Sequence, residues 1–257
     1  MSAGTPRAGM GFRDHFSHDA AGYAAARPSY PPQLAEVLAR LCFAREVAWE
    51  AGCGSGQLSL LLAEHFGRVV ASDASAEQLA AAPAHPAIEW RCARAEESGL
   101  APRSVDLVVA AQAAHWFDLP RFYAEARRVA RPGALLALVS YGKTRIAPDL
   151  DPIVDHFHDV VLAGHWPSER AHVVDGYRSL GFPFEPLLLP PLEIRREWSA
   201  AQFLDYVGTW SGVHALRQSG GSARFESFAV DLSARWRAGG PRRQVRWPLA
   251  VLAARLA

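Results

Sequence analysis

The chain has 257 residues, of which 50% are hydrophobic and 21% are charged. This composition provides for a sizeable apolar core and excludes a chain that is disordered throughout. The 27 Lys and Arg residues almost balance the 26 Asp and Glu residues, giving a formal net charge of +1, which argues against nucleic acid as the main partner because phosphate binding needs a clustered positive field.

The cysteines and the N-terminal residues give little indication of a metal or a membrane. Cys42, Cys53 and Cys92 form no C-x-x-C pair, and their spacing suits neither a zinc site nor a disulfide framework. Residues 1–16 lack the apolar core of a signal peptide, and no apolar run reaches the ~18 residues of a membrane span. We therefore expect a cytoplasmic monomer or homodimer with no metal and no membrane partner.

Helix and strand patterns alternate through the first half of the chain. Helical periodicity predicts helices over 33–43, 58–66, 76–82 and 119–130, and short apolar runs predict strands ending at 50, 73, 92, 110 and 141. Alternation at this spacing is typical of an α/β, doubly wound, mostly parallel sheet with helices on both faces.

The pattern is weaker after Tyr141. It predicts helices over 149–163, 199–206 and 224–238, and a strand over 244–256 that closes the sheet. Pro248 lies inside that strand, so we expect an edge position or a bulge there. The expected organisation is a single domain over 1–257. Its parts are an N-terminal cap at 12–45, a core at 46–141, a mainly helical elaboration at 142–240 and the closing strand at 241–257.

A glycine-rich turn follows the first predicted strand. Glu50 ends that strand, and Gly52, Gly54 and Gly56 alternate with small residues before the next helix. Glycines permit positive φ and let a ligand approach the backbone closely. A dinucleotide site would need Gly-x-Gly-x-x-Gly, but both possible registers fail, at Gln57 and at Ser59.

The pattern from Glu50 to Gly56, acid-x-Gly-x-Gly-x-Gly, resembles the first motif of class I S-adenosylmethionine-dependent methyltransferases. Further motifs follow in the order of that family over roughly residues 12–141: an acid, Asp73, ends the second strand, and Ala95-Glu96 follows the third. The fourth strand at 105–110 and the helix end at 129–133 also match. The resemblance implies a Rossmann-like methyltransferase fold with seven strands and S-adenosylmethionine as cofactor.

The resemblance also implies roles for individual residues. Asp73 would bind the ribose hydroxyls, Glu50 would face the ammonium group, and Gln112 would contact the methionine portion. The full set of expected cofactor residues is Tyr23, Arg27, Glu50, Gly52, Gly54, Gly56, Asp73, Ala74, Gln78, Ala95, Glu96 and Gln112. Other interpretations remain open, since Asp73 could cap the next helix, Glu96 could be a solvated loop acid and Gln78 could be exposed.

Two further motifs are similar to the small-molecule branch that includes trans-aconitate methyltransferase-like proteins. They are Tyr23-(x)3-Arg27-Pro28-Ser-Tyr30-Pro31 and the run from Gln112 to Asp118, which contains His115 and Trp116. In that branch the N-terminal segment folds over the cofactor, although Arg27 and Tyr30 could instead only anchor the segment.

His115 is the candidate base if the acceptor is a hydroxyl or an amine, although a core or capping histidine is an equal alternative. Candidate acceptor-binding residues are Tyr30, Trp116, Tyr141 and Trp210. We therefore expect methyl transfer to a small molecule that presents a carboxylate or a hydroxyl. An NAD(P)-dependent oxidoreductase and a non-catalytic S-adenosylmethionine-binding protein remain alternatives.

Overall fold

The computed structural model describes residues 28–256. The strands are β1 (Val47–Ala51), β2 (Arg68–Asp73), β3 (Ile88–Cys92), β4 (Val105–Ala111), β5 (Ala130–Tyr141), β6 (Leu192–Trp198) and β7 (Arg243–Arg255). The α-helices are α1 (Pro32–Leu41), α2 (Gln57–Leu62), α3 (Ala76–Ala80), α4 (Leu119–Val129), α5 (Asp151–His156), α6 (Arg170–Val174), α7 (Ala200–Gly208), α8 (Ser211–Gln218) and α9 (Ser222–Ala238). Short 3₁₀ segments occur at Ala114–Trp116 and Arg178–Leu180, and a π-helix at Phe157–Val161.

The strands form one seven-stranded sheet in the order β3-β2-β1-β4-β5-β7-β6. Strands β1 to β5 pair in parallel, whereas β7 is antiparallel to both β5 and β6. The strand order reverses between β1 and β4, and in open α/β sheets ligands bind at such a switch point, beyond the carboxyl ends of the strands. The doubly wound, mostly parallel fold predicted from the sequence is confirmed.

Apolar side chains cover both faces of the sheet. Along β4, Leu107 and Val109 join one buried cluster, and Val108 and Ala110 join the cluster on the opposite face. Successive strand residues point to opposite faces, so a strand buried on both sides must be apolar throughout. All residues of β4 are buried, which explains why its sequence is a continuous apolar run interrupted by a single acid.

That acid, Asp106, lies at the amino end of the sheet, opposite the expected site. Its carboxylate accepts backbone hydrogen bonds from Glu46 at 2.8 Å and Val47 at 3.0 Å, and it pairs with Arg131 at 2.9 Å. Buried carboxylates are tolerated when they are paired and hydrogen-bonded in this way. Asp106 therefore joins the starts of β1, β4 and β5.

The start of β5 differs from the sequence-based expectation. Arg131-Pro132-Gly133 was expected to end the preceding helix and leave a strand over 134–141, but β5 already begins at Ala130. Ala130 pairs with Val105, and a register shift follows before Leu107 pairs with Leu135. A bulge of this kind accommodates extra residues in a strand without ending it.

Three helices and strands after β5 were not predicted, namely α6, β6 and α8. Strand β6 carries several charges, with Ile194 as its buried residue. It lies at the edge of the sheet, where charged residues are common because they discourage further pairing. The charges hid the alternating pattern that predicts a strand. Helix α8 follows Trp210, whose side chain makes no capping hydrogen bond.

The closing strand is present but is not at the edge. Strand β7 lies between β5 and β6, and its register with β6 runs unbroken through Pro248, so the expectation that this proline lies in an edge strand or at a bulge was wrong. Pro248 pairs with Glu193 of β6, and the pairing of β7 with β5 begins one residue later, at Leu249. The proline is tolerated because it lies outside the β5 ladder.

The helix expected over 149–163 is instead made of two parts. Helix α5 covers Asp151–His156 and continues directly into the π-helix Phe157–Val161. Such π segments are rare and occur frequently at functional sites. Within residues 28–256, no helix is long and apolar enough to cross a membrane.

Candidate functional site

The glycine turn links β1 to α2 at the carboxyl edge of the sheet. Gly52, Gly54 and Gly56 all have positive φ, at 70°, 54° and 86°. A Cβ on Gly52 would lie 2.5 Å from the Ala113 Cβ, and one on Gly56 would lie 2.2 Å from the Trp90 ring. A Cβ on Gly54 would meet only Gln78 Oε1, at 3.6 Å. Glycine is therefore required for packing at 52 and 56, whereas Gly54 leaves its backbone accessible.

Asp73, at the end of β2, holds the glycine turn in place. Its Oδ2 accepts a hydrogen bond from Gly54 N at 2.8 Å, and its Oδ1 accepts one from Ser75 N at 2.9 Å. The cap of α3 is Ser75, whose hydroxyl accepts from Gln78 N at 3.3 Å. Asp73 is therefore not the N-cap of α3, as the alternative interpretation had it. Each carboxylate oxygen retains further lone pairs that can accept from a ligand.

Glu50 is buried behind the turn. Only 2% of its surface is exposed, and the Ser59 hydroxyl donates to Oε2 at 2.5 Å. Burial raises the pKa of Glu50 to about 8, and the nearby Asp73 charge also raises it, while the Ser59 hydrogen bond lowers it. Near neutral pH this carboxyl therefore exists partly in its protonated form.

Residues 74–78 follow Asp73 along the rim of the site. Ala74 is half-buried, and Gln78 is buried although it lies on a short surface helix. The alternative of an exposed Gln78 was wrong, because its side-chain oxygen packs close to Gly54. Gln78 therefore lies beside the one glycine whose Cβ position is open.

The loop after β3 is held against α4 by its acids. Ala95 is buried, and the Glu96 side chain is only 5% exposed. Glu96 accepts a hydrogen bond from Asp118 N at 2.8 Å and pairs with Arg94 at 3.2 Å. Glu96 is thus not a solvated loop acid. It fixes the loop next to the start of α4.

Gln112 follows β4 in a left-handed conformation, with φ of 54°. Its backbone N–H donates to Val139 O and its side-chain amide donates to Tyr141 O, both at 2.8 Å. A left-handed conformation is uncommon for a non-glycine residue, and strained residues of this kind cluster at functional sites. Here it turns the chain from the end of β4 towards the end of β5.

His115 lies in the 3₁₀ segment after β4 and contacts a residue that sequence reasoning missed. Its Nδ1 is 2.9 Å from the hydroxyl of Tyr177, which is fully buried and has φ of 66°. Burial raises the pKa of Tyr177, which keeps its proton, while backbone hydrogen bonds from His115 and Ala114 act in the opposite direction. The distance allows a hydrogen bond between the tyrosine hydroxyl and Nδ1, and the tautomer of the imidazole decides which of the two atoms donates.

The other expected acceptor residues occupy two places. The ring of Trp116 is tilted by 43° against that of His115, with centroids 4.8 Å apart, and Trp116 is 37% exposed. Tyr30 packs edge-to-face on Tyr141 at the end of β5, with centroids 6.1 Å apart. Both tyrosines are buried. These side chains lie on segments that adjoin the carboxyl ends of β4 and β5.

Trp210 belongs to an aromatic cluster in the segment after β5. Its ring lies 5.6 Å from His158, 5.8 Å from Trp166 and 5.7 Å from Tyr206. The structure therefore does not pair Trp210 directly with Tyr30 or Trp116. Tyr23 and Arg27 lie outside the described residues. Within the described part of the chain, no group of three or more His, Cys, Asp or Glu side chains is placed to hold a metal ion.

The contacts that sequence reasoning missed differ in whether the sequence contains a signal for them. Ser75 had a recognisable signal, since serine before a short helix is a preferred N-cap. Ser59 and Tyr177 had none, because their partners Glu50 and His115 lie 9 and 62 residues away in the sequence. These partnerships depend on tertiary packing.

The fold and this site define an α/β protein with a glycine turn at the carboxyl ends of β1 and β4, the edge at which open α/β sheets bind their ligands. Comparison with known proteins identifies the class. Residues 49–138 match the family model described as a methyltransferase domain. A Dictyostelium discoideum protein that is named as a methyltransferase is 32% identical over 213 residues, which cover 81% of each chain.

A solved structure from Anaeromyxobacter dehalogenans, provisionally described as a type II methyltransferase, is 49% identical, with a TM-score of 0.84. The match covers 90% of this chain and 98% of that one. An uncharacterized methyltransferase of Mycobacterium bovis is 41% identical over 128 residues, which are 48% of this chain and 51% of that protein. The chain therefore belongs to the class I S-adenosylmethionine-dependent methyltransferases, and it is an enzyme of that class.

This assignment favours the methyltransferase interpretation over the oxidoreductase and non-catalytic alternatives. The narrower resemblance to the trans-aconitate methyltransferase-like branch stays a prediction.

Proposed function

We propose that this methyltransferase acts on a small-molecule acceptor that presents a hydroxyl or a carboxylate, and that its methyl donor lies against the glycine turn at 52–56. The observation that carries the proposal is the hydrogen bond of 2.8 Å between Asp73 Oδ2 and Gly54 N. It places an acid beside the only one of the three turn glycines whose Cβ position is free of close contacts.

The residues present fit S-adenosylmethionine. The accessible backbone at Gly54 lets a ligand lie close, and Asp73 offers lone pairs for two vicinal hydroxyls. Buried Gln78 and Ala95 border the turn and the loop after β3, where an uncharged purine would be covered. Glu50 lies behind the turn, and a cationic ammonium group would favour its ionised form.

S-adenosylmethionine supplies a methyl group attached to a positively charged sulfur. The residues of this chain bind the reactants, orient them and exclude water, which is most of what an in-line displacement requires. The exposed ring of Trp116 offers an aromatic face to a cation. Gln112 fixes the end of β4 next to that of β5 through Tyr141.

His115 has a specific chemical capacity in this arrangement. We infer that the Tyr177 hydroxyl donates to Nδ1, so that the neutral ring carries its proton on Nε2. Such a donor suits a carboxylate oxygen of the acceptor, whereas the role of base would require the Nδ1 position that Tyr177 occupies. We therefore propose that His115 orients the acceptor, together with Tyr30, Tyr141 and the N-terminal residues Tyr23 and Arg27.

The remaining expectations form part of the same proposal. The acceptor is a small molecule, with neither nucleic acid nor membrane as partner, and the protein acts without a metal in the cytoplasm as a monomer or homodimer. The four-part division of a single domain at residues 12–45, 46–141, 142–240 and 241–257 also remains a prediction.

The cofactor site can be tested by calorimetric titration of the purified protein with S-adenosylhomocysteine. We expect Asp73→Ala to weaken binding by at least about tenfold, because it removes the ribose acceptor and releases Gly54 N. Asp231→Ala is the matched control, since Asp231 is an exposed acid on α9. Equal affinities of the wild type and Asp73→Ala would contradict this placement of the methyl donor.

A further inference from the structure

The segment after β5 buries a histidine beside a tryptophan. His158 lies in the π-helix and Trp210 precedes α8, and each side chain is 5% exposed. The two ring centroids are 5.6 Å apart, and the ring planes are inclined at 78°. From the sequence, Trp210 was expected to bind the acceptor, and His158 was not singled out.

The protonation state of His158 follows from its neighbour. Its Nδ1 lies 2.8 Å from Asp159 Oδ1. A carboxylate can only accept, so Nδ1 carries the proton and the Nε2 of the neutral ring is a free acceptor. Burial lowers the pKa of His158, and the positive charges of Arg170 and Lys143 also lower it, while Asp159 raises it. The ring is therefore neutral near pH 7.

One polar atom of each residue in this pair is buried without a hydrogen-bond partner. Among residues 28–256, neither His158 Nε2 nor Trp210 Nε1 has a hydrogen-bond partner, although both atoms are buried. An unsatisfied buried polar group costs about 1–3 kcal/mol. One of the two atoms accepts and the other donates, so a single group that does both, such as a ligand hydroxyl, can satisfy both atoms.

The pair is attached to the edge of the sheet where the cofactor site lies. Lys143, two residues beyond the end of β5, forms ion pairs with Asp159 and with Asp155. The Trp166 indole donates to His158 O at 3.0 Å, and its ring lies 4.7 Å from the imidazole. A Cβ on Gly212 would come within 2.9 Å of the Trp166 ring, so glycine at that position makes room for it.

Aromatic rings surround the pair. Trp166 and Trp210 lie 5.8 Å apart, and Tyr206 packs edge-to-face on Trp210. Aromatic rings bind planar apolar ligands through extensive contact and offset stacking. Together with the two leftover polar atoms, they suit a ligand with an apolar ring and a hydroxyl group.

We propose that His158 and Trp210 bind a hydroxyl group of an aromatic methyl acceptor, which donates to His158 Nε2 and accepts from Trp210 Nε1. This inference rests on the proposed function, because it names the acceptor class of the same enzyme. It gives the elaboration after β5 a specific task, the recognition of the acceptor, and it makes Asp159 a positioning residue that fixes the imidazole tautomer.

Three probes of similar shape test the proposal. Phenol can donate and accept, anisole can only accept, and toluene can do neither. Ligand-observed NMR titration of the cofactor-free protein measures their relative affinities. We expect phenol to bind at least about tenfold more tightly than toluene, with anisole between them, since each hydrogen bond satisfies one buried atom.

Substitutions assign each hydrogen bond to its residue. His158→Phe should reduce phenol to the affinity of anisole, and Trp210→Phe should reduce anisole to that of toluene. His158→Phe removes the hydrogen bond to Asp159 as well as the unsatisfied Nε2, and Trp210→Phe leaves a cavity, so thermal denaturation first verifies that both variants are folded at the titration temperature. His158→Gln restores an acceptor and should recover part of the phenol preference. His156→Phe, at an exposed position on α5, is the matched control.

Three results would overturn the proposal. They are equal binding of the three probes to the wild type, no binding of any probe up to its solubility, and unchanged preferences in both Phe variants. A trapped water between the two rings would give the first or the second result. Calorimetry of the same variants with S-adenosylhomocysteine separates this test from that of the cofactor site, because Asp73 and the glycine turn are unaltered in them.

Discussion

At the scale of single residues, Glu50 shows how burial sets a protonation state. The folded protein holds its proton up to a pH of about 8, whereas a freely solvated Glu has a pKa of 4.5. As pH rises between these two values, the unfolded chain loses its proton first. The stability that the protonated carboxyl contributes is therefore complete below about pH 4.5, falls as pH rises towards 8, and changes no further above it.

The neutral variant Glu50→Gln should lack this slope. We expect the free energy of unfolding of the wild type, relative to that of Glu50→Gln, to fall by about 2–4 kcal/mol between about pH 5 and pH 8, because folding must then retain a proton or bury a charge. Urea denaturation at several pH values measures it. Glu97→Gln, at an exposed position in the loop after β3, should keep the wild-type slope. Parallel curves for wild type and Glu50→Gln would contradict the raised pKa.

At the scale of elements, the glycine turn has two glycines with different tasks. Alanine at either position must adopt positive φ, which costs about 1 kcal/mol. Gly52→Ala in addition forces its Cβ against that of Ala113, after β4, while Gly54→Ala meets no close neighbour. We therefore expect Gly52→Ala to destabilise the fold by about 2–4 kcal/mol and Gly54→Ala by about 1 kcal/mol.

Cofactor binding should show the opposite order, with Gly54→Ala losing more affinity than Gly52→Ala. The methyl group of Gly54→Ala occupies the space where we place S-adenosylmethionine, so its loss of affinity for S-adenosylhomocysteine should exceed its loss of stability. Denaturation and calorimetry measure the two quantities. Adding Ala113→Gly to Gly52→Ala removes the close contact and should recover the stability lost to it. Equal behaviour of the two single variants would show that the turn has no open side.

Most elements of the sheet were predictable because their signals are local. Continuous apolar runs indicate β1, β2, β4 and β5, and the glycines and Asp73 mark the carboxyl edge. The charged edge strand β6 was missed because its neighbours supply the pairing that its own sequence does not indicate. At the site, the presence of Asp73, Gln112 and His115 could be predicted, but their partners could not. Gly54, Tyr141 and Tyr177 lie 19, 29 and 62 residues away from them in the sequence, and tertiary packing brings them together.

At the scale of the whole molecule, the segment after β5 meets the sheet through Tyr177. Helix α6 packs against the 3₁₀ segment that carries His115, and Tyr177 follows that helix. The hydroxyl of Tyr177 thus connects the elaboration at 142–240 to the end of β4. A single hydroxyl can in this way set both the tautomer of His115 and the position of the segment that we assign to acceptor recognition.

Tyr177→Phe should therefore cost about 1–2 kcal/mol of stability, because it leaves His115 Nδ1 and two backbone amides without their partner. Tyr123→Phe is the matched control. Tyr123 is also buried, but its hydroxyl has no partner among the described residues, so its loss should be neutral or stabilising. Urea denaturation measures both variants, and nitrogen NMR shifts of the His115 ring should change in Tyr177→Phe alone. Equal stability losses, or an unshifted His115 ring, would show that Tyr177 only fills space.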